Sequence, residues 1–209
     1  MLVGTGDIRT WLGIEDGDKK PNAKLESISQ AIQAFVENYT GRKLEAQLFN
    51  TDPDYCYFDG TGLRFMYLPV YPIWRVDELR IDNDRLFTDS STLASTDGAD
   101  LIIYGKEGKV AIDLSNSSHG SFTRGRRNVR VKYYAGYGAG SYPLPYDLKQ
   151  VIIEMAVQTH KEGMTGLHAV VGPQETKIMN YLSGNSMWRK TLNSYKNYAV
   201  NAAYGYDNT

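Results

Sequence analysis

Apolar positions along the chain follow two different periods, and the change between them divides the sequence. From about Asn22 to Tyr39, Leu25, Ile28, Ile32, Phe35, Val36 and Tyr39 recur every three or four residues and form one helical stripe. Thr40-Gly41-Arg42 closes that run, with Gly41 suited to a left-handed cap. The period returns at Pro145, which fits a first helical turn because its missing N–H costs nothing there. Leu148, Val151, Ile152, Met155, Ala156 and Thr159 then share one side, and Gly163 ends the run. A short helix is expected over 5–13, with Thr5 as its cap, Asp7 in its first turn and Gly13 at its end. Two more helices are expected at 175–182 and 186–200, with 164–173 a loop between the helices.

Between these helices the period shortens to two. Residues 44–50 alternate as a strand does, and 55–69 reads as a hairpin across Asp-Gly-Thr-Gly. Pro69 and Pro72 interrupt the next run, and 74–82 resumes alternation with Val76, Leu79 and Ile81. Residues 83–98 are polar and turn-rich, 99–114 reads as a second hairpin across Gly-Lys-Glu-Gly, and 115–127 is a long loop. The clearest strand is 128–134, with Val129, Val131 and Tyr133 on one face. The pattern is α+β: a small helical bundle from 1–43 and 140–200, a β-rich module inserted at 44–139, and a C-terminal tail at 201–209.

Composition narrows the function classes. The 209 residues are 42% hydrophobic with a net charge of −1, ordinary for a globular protein and without a global field for nucleic acid or an acidic membrane. The single cysteine, Cys56, supports neither an internal disulfide nor a thiolate zinc site, and it reads as a small strand residue. No signal peptide or membrane span is expected, since no apolar run approaches the roughly 20 residues a span needs. The 16 tyrosines suit half-buried surfaces and interfaces.

The glycines of 134–150, YAGYGAGSYPLPYDLKQ, raise the question of a phosphate cradle. Gly136, Gly138 and Gly140 are spaced two and two, no lysine follows, and two prolines stand before the helix. That spacing matches neither a P-loop nor a dinucleotide turn, so a strand-to-helix connector is the better reading. His119, His160 and His168 form no ligand spacing, and the acidic turns at 15–18 and 82–85 lack the glycine and glutamate of a calcium loop. No metal, cofactor or catalytic residue is therefore expected.

Charge is concentrated in two places. Residues 123–132 carry Arg124, Arg126, Arg127, Arg130 and Lys132 with no acid among them. Such a run suits phosphates or carboxylates, or is simply a solvated hairpin end. Residues 77–89 carry the opposite sign through Asp77, Glu78, Asp82, Asp84 and Asp89. Patches of opposite sign invite pairing between neighbouring copies of the chain in a ring.

Taken in order, DIRTWLGI (7–14), AFVENYTGRKL (34–44), FDGTG (58–62), MYLPVYPI (66–73), VRVKYYAGYG (129–138) and PLPYDLKQVIIEMA (143–156) resemble the head–tail connector (adaptor, or head completion) proteins of tailed bacteriophages. The resemblance covers roughly 5–160, and the large β block at 44–139 stands where small family members have short connections. It implies a non-enzymatic virion protein, made in the host bacterial cytoplasm, that forms a twelvefold ring beneath the portal. Its implied partners are the portal protein, a tail-side completion or stopper protein, its own copies, and genomic DNA passing without sequence specificity. It implies no cofactor and no membrane. Because end segments of such connectors often reach onto the portal, Tyr195, Tyr198, Tyr204 and Tyr206 become candidate docking residues. Arg124, Arg126, Arg127, Arg130 and Lys132 become candidates for contact with channel DNA or with a neighbour's acidic edge of Asp77, Glu78, Asp82 and Asp84. Two alternatives stand beside it: a nucleic-acid-binding module using the 124–132 loop, and a tail-tube or baseplate structural protein.

Overall fold

The computed structural model of the chain describes residues 1–15, 21–88, 92–93, 99–117, 119–138, 140–161 and 187–196. The fold is α+β. It has two compact units, one of Met1–Arg42 with the described residues after Leu144, the other of Lys43–Pro143.

The helical unit holds α1 (Thr5–Leu12), α2 (Asn22–Thr40), α4 (Tyr146–Lys161) and α5 (Met187–Ser194). The stripe of α2 is buried from Leu25 to Val36, whereas Tyr39 is half-buried and donates its hydroxyl to Asn193 of α5. All six apolar-face positions anticipated on α4 are buried, and Ile153 and Val157 are buried as well. Gly13 and Gly41 cap α1 and α2 with φ of 68° and 69°, the left-handed conformation that a glycine adopts without a Cβ penalty. Thr5 is the first residue of α1 rather than its cap, and Gly4 takes the cap position with no side-chain hydrogen bond. Across the unit, Lys149 of α4 pairs with Asp7 of α1 at 2.9 Å. The helix expected at 175–182, His168 and the rest of the run beyond 196 lie outside the described residues.

The β unit comprises β1 (Gln47–Phe49), the helical turn α3 (Pro53–Cys56), β2 (Tyr57–Gly60), β3 (Phe65–Tyr67), β4 (Ile73–Ile81), β5 (Thr92–Leu93), β6 (Leu101–Tyr104), β7 (Lys109–Ile112) and β8 (Gly125–Ala135). β8 organises it. One edge of β8 pairs with β4, which carries β5 on its far side, while the other edge pairs with β2 and then β1. A second antiparallel sheet has the order β3-β7-β6. Val129, Val131 and Tyr133 of β8 are fully buried, and Tyr133 stacks on Phe49 with ring centroids 5.2 Å apart. Each such side chain contributes at most about 1.5–3 kcal/mol by leaving water. They share one hydrophobic cluster with Leu68, Val70, Leu101 and Val110.

Two expectations change. Residues 55–69 do not form a hairpin: β2 pairs with β8, and β3 with β7 in the other sheet. Cys56 ends a helical turn rather than lying in a strand, and burial pushes its thiol pKa up. The hairpin across Gly-Lys-Glu-Gly is present, with Leu101 opposite Ile112 and Tyr104 opposite Lys109 around a 3-10 turn at Gly105–Glu107.

The glycine cluster is a backbone crossing. Residues 44–46 run against 136–138 through the Tyr137 N–H to Leu44 and the Ala46 N–H to Tyr137 carbonyl bonds. A Cβ on Gly136 would stand 2.6 Å from the Glu45 carbonyl oxygen, and its φ is 113°, so only glycine fits there.

A second crossing lies at the opposite end of β8. Asn128 is buried, and its Oδ1 accepts the Gly60 N–H at 2.8 Å. Its Nδ2 donates to the Thr123 carbonyl at 2.8 Å and to Asn83 Oδ1 at 2.9 Å. A Cβ on Gly60 would lie 1.8 Å from the Thr123 oxygen, so the crossing is closed to any side chain at position 60. Asn128→Ala removes these three bonds, leaves the buried Gly60 N–H unpaired and is expected to cost the β unit about 1–3 kcal/mol. Gly60→Ala is expected to cost at least as much. Urea unfolding followed through the amide resonances of β8 reads both, and an unchanged midpoint would remove Asn128 as the tie.

Candidate functional site

The β2–β8 register creates the most distinctive surface of the β unit. Phe58 faces Val129 and Gly60 faces Gly125, so Arg126, Arg127 and Asn128 of β8 lie opposite Asp59 alone. Such a bulge bends a strand and re-aims its side chains. Arg127 adopts φ of 49°, and its backbone N–H, removed from the ladder, donates to Asp59 Oδ1 at 2.7 Å. Its guanidinium lies 3.5 Å from Asp54, with both side chains mostly exposed.

The turn after β4 meets this bulge because β4 and β8 are antiparallel neighbours. Ile81 faces Val129, and the Asp82 N–H donates to the Asn128 carbonyl at 2.8 Å. Asp82 shapes the turn itself: its carboxylate accepts the Asp84 N–H at 2.9 Å and the Phe87 N–H at 2.8 Å. Within that turn Arg85 adopts φ of 59° and Phe87 of 50°. Asp59, Arg85, Arg126 and Arg127 line an open cavity of about 410 Å³. Arg124 is exposed and is not part of that lining; its Nε donates to the Thr61 carbonyl at 3.4 Å.

Thus the anticipated basic run splits in two. Arg124, Arg126 and Arg127 are exposed at the end of the unit. Arg130 and Lys132 sit farther along β8 and pair with Glu78 on β4, Lys132 at 3.0 Å and Arg130 by a short hydrogen bond. Arg80 also lies 3.0 Å from Glu78. Burial pushes the Glu78 carboxyl upward, but the hydrogen bonds and charges of Arg130 and Lys132 outweigh it and hold the carboxyl below its ordinary value.

The acidic run divides likewise. Asp77 pairs with Arg75 at 2.6 Å, Glu78 binds three cations, Asp82 holds its own turn, Asp84 is exposed, and Asp89 lies outside the described residues. A head-to-tail ring joins unlike surfaces of neighbouring subunits. Between the two runs the ion pairs within the chain are those of Glu78 with Arg130 and Lys132, whereas Asp77 and Arg127 pair outside the runs, with Arg75 and Asp54. The β4–β8 register sets Glu78 opposite Lys132, which sequence spacing does not reveal.

Of the candidate docking tyrosines, Tyr195 donates its hydroxyl to Asp147 at 2.7 Å, within the helical unit. Tyr198, Tyr204 and Tyr206 lie outside the described residues. Sequence reasoning missed Arg85, Asp59 and Asn128. The signal for Asn128 was a polar residue entering an otherwise apolar-alternating strand. Among the described residues, no group of three His, Cys, Asp or Glu side chains is placed to hold a metal, and no helix is long and apolar enough to cross a membrane.

No family model and no curated protein matches the chain. Solved structures do. A chain from the virion of a native gene transfer agent (GTA) particle is 22% identical, covering 77% of this chain and 78% of its own, with a TM-score of 0.52. A chain from the neck of an empty GTA particle, computed with C6 symmetry, is 23% identical over 77% of this chain and 78% of its own, at 0.49. A chain from the neck of a native GTA particle, computed with C12 symmetry, is 21% identical over 75% of each chain, at 0.47. The fold of this chain is thus shared with a chain of the GTA virion.

Glu78 carries a pH signature. Its carboxyl pKa is depressed in the folded state, so its contribution is present above the ordinary carboxylate range and is lost as pH falls through the folded value. Glu78→Gln is expected to lower stability by about 1–2 kcal/mol at neutral pH, allowing for partial solvent screening of its partners. The gap from the unmodified chain should close toward acid pH. Urea midpoints across pH measure this, and a gap independent of pH contradicts it.

Proposed function

We propose that the chain is a non-enzymatic structural protein of the neck of a tailed-phage-like particle. More finely, we read it as a head–tail connector that forms a ring beneath the portal and joins it to tail-side proteins around the DNA channel. The observation that carries this reading is the fold held in common with a chain of a GTA virion over 77% of this chain. The ordered segments of the sequence resemblance support it independently, and several lie at structural joints: Gly41 caps α2, Gly60 admits the Asn128 crossing, and Gly136 admits residues 44–46.

Assembly is the mechanism. In a closed ring each subunit contact is repeated, so individually modest interfaces give a stable whole. The twelvefold number is the one that the family resemblance implies. Contact between copies is assigned to surfaces other than the Glu78 network, whose charges are already paired within the chain. Because Tyr195 is bonded to Asp147, portal docking is assigned to Tyr198, Tyr204 and Tyr206. Aromatic side chains are common anchors at protein interfaces.

Electron microscopy of the full chain mixed with the portal protein of the same particle tests the reading. A new ring under the portal is expected, and it should be lost or sparsely occupied when Tyr198, Tyr204 and Tyr206 are changed together to alanine. A ring unaffected by that change removes the docking role of the tyrosines. No association with an intact portal contradicts the connector assignment.

A further inference from the structure

We propose that the cleft of Asp59, Arg85, Arg126 and Arg127 is a receptor for a carboxylate carried by an acidic loop or terminus of a partner protein. The cleft is open, about 410 Å³, and three of its four lining residues are arginines. Guanidinium groups grip carboxylates through paired N–H donors, and several converging on one opening select a planar oxyanion. Arg85 and Arg126 are exposed, and their guanidiniums make no ion pair among the described residues. Arg127 pairs only loosely with exposed Asp54, at 3.5 Å.

The backbone gives a second, independent indication. Among the described residues only Arg85, Phe87 and Arg127 combine a side chain with positive φ, and two of the three line this cleft. Bulky residues seldom occupy that region, and those that do cluster where ligands are held. Here Asp59 holds Arg127 and Asp82 holds the Arg85 turn, through hydrogen bonds to backbone N–H groups. The scaffold therefore fixes Arg127 in the β8 bulge and Arg85 in the turn after β4 across one opening.

Charge balance favours a short acidic segment over a nucleic-acid duplex. Three arginines against Asp59 leave an excess of positive charge inside the cleft that one or two carboxylates neutralise. Just outside stand exposed Asp54 and Asp84. Duplex DNA carries a charge about every 1.7 Å of its axis. A passing duplex would set phosphates against these aspartates as well as the arginines, within the roughly 8 Å over which charges act at physiological salt. A flexible acidic segment can place one carboxylate in the cleft and turn its others away from the two aspartates, which the evenly spaced phosphates of a duplex cannot do. This recognition does not depend on whether the chain forms a ring.

The test is a titration of the full chain, labelled at the arginine Nε–H groups, with a capped hexaglutamate peptide at physiological salt. A capped hexaglutamine peptide and a short DNA duplex are the comparisons. Hexaglutamate is expected to shift the Nε–H resonances of Arg85, Arg126 and Arg127, and hexaglutamine to leave them in place. The double variant Arg85→Gln, Arg126→Gln alters only exposed side chains and should weaken peptide binding by about tenfold or more. Its unchanged unfolding midpoint would separate loss of the site from loss of the fold. The proposal is overturned if hexaglutamate leaves these resonances unshifted, if hexaglutamine shifts them equally, or if the double variant binds as well as the unmodified chain. Tighter binding of the duplex at the same resonances would overturn it in favour of a phosphate site.

Discussion

Asn128 is the constraint on which the end of the β unit depends. Its buried amide satisfies the Gly60 N–H, the Thr123 carbonyl and the Asn83 side chain at once, linking three separate segments. The Asn128 amide and the Gly60 N–H are buried and costly to leave unpaired, so this end of the unit is tied through Asn128. The consequences extend outward. Gly60 has to lack a side chain, the β2–β8 register has to jump, and Arg126 and Arg127 are carried into a bulge with Asp59 opposite. The Asp82 turn joins the same tie through the Asn128 carbonyl and brings Arg85 to the other side of the cleft. A neutral buried side chain thus arranges an exposed, charged surface.

Local patterns were legible wherever one face of an element meets the core. The three-and-four spacing of Leu148 to Thr159 and the alternation of Val129, Val131 and Tyr133 both report true burial. β4 was harder because its buried positions are Ile73, Val76, Leu79 and Ile81. Register shifts between Ile73 and Arg75 and between Val76 and Glu78 break simple alternation there. The hairpin reading of 55–69 failed for a non-local reason. Asp-Gly-Thr-Gly has good turn chemistry, but β2 and β3 find partners in β8 and β7, more than forty residues later in the chain. Long-range pairing leaves no trace in a short window.

The charged residues show the same boundary. Arg124, Arg126 and Arg127 were visible as a basic run and are exposed in the fold. What spacing could not show is that Glu78 lies across from Lys132, or that Asp59 and Arg85 stand beside the bulge. Once the register is known, Glu78, Arg130 and Lys132 form one partly buried network, and Asp59, Arg85, Arg126 and Arg127 line one open cleft. The glycines of 136–140 resolve similarly: their freedom serves close backbone approach by residues 44–46 and Trp74, not a phosphate.

The most direct measurement is amide hydrogen exchange at Gly60 and Arg127 in the intact chain. Their N–H groups donate to side chains, Asn128 Oδ1 and Asp59 Oδ1, rather than to the strand ladder. If those side chains lock the bulge to the core, both amides should exchange as slowly as those of Val129 and Val131, opening only with the β unit as a whole. Exchange at the rate of an exposed loop, with β8 still protected, would show that the bulge opens independently and that Asn128 does not hold the arginine cleft in place.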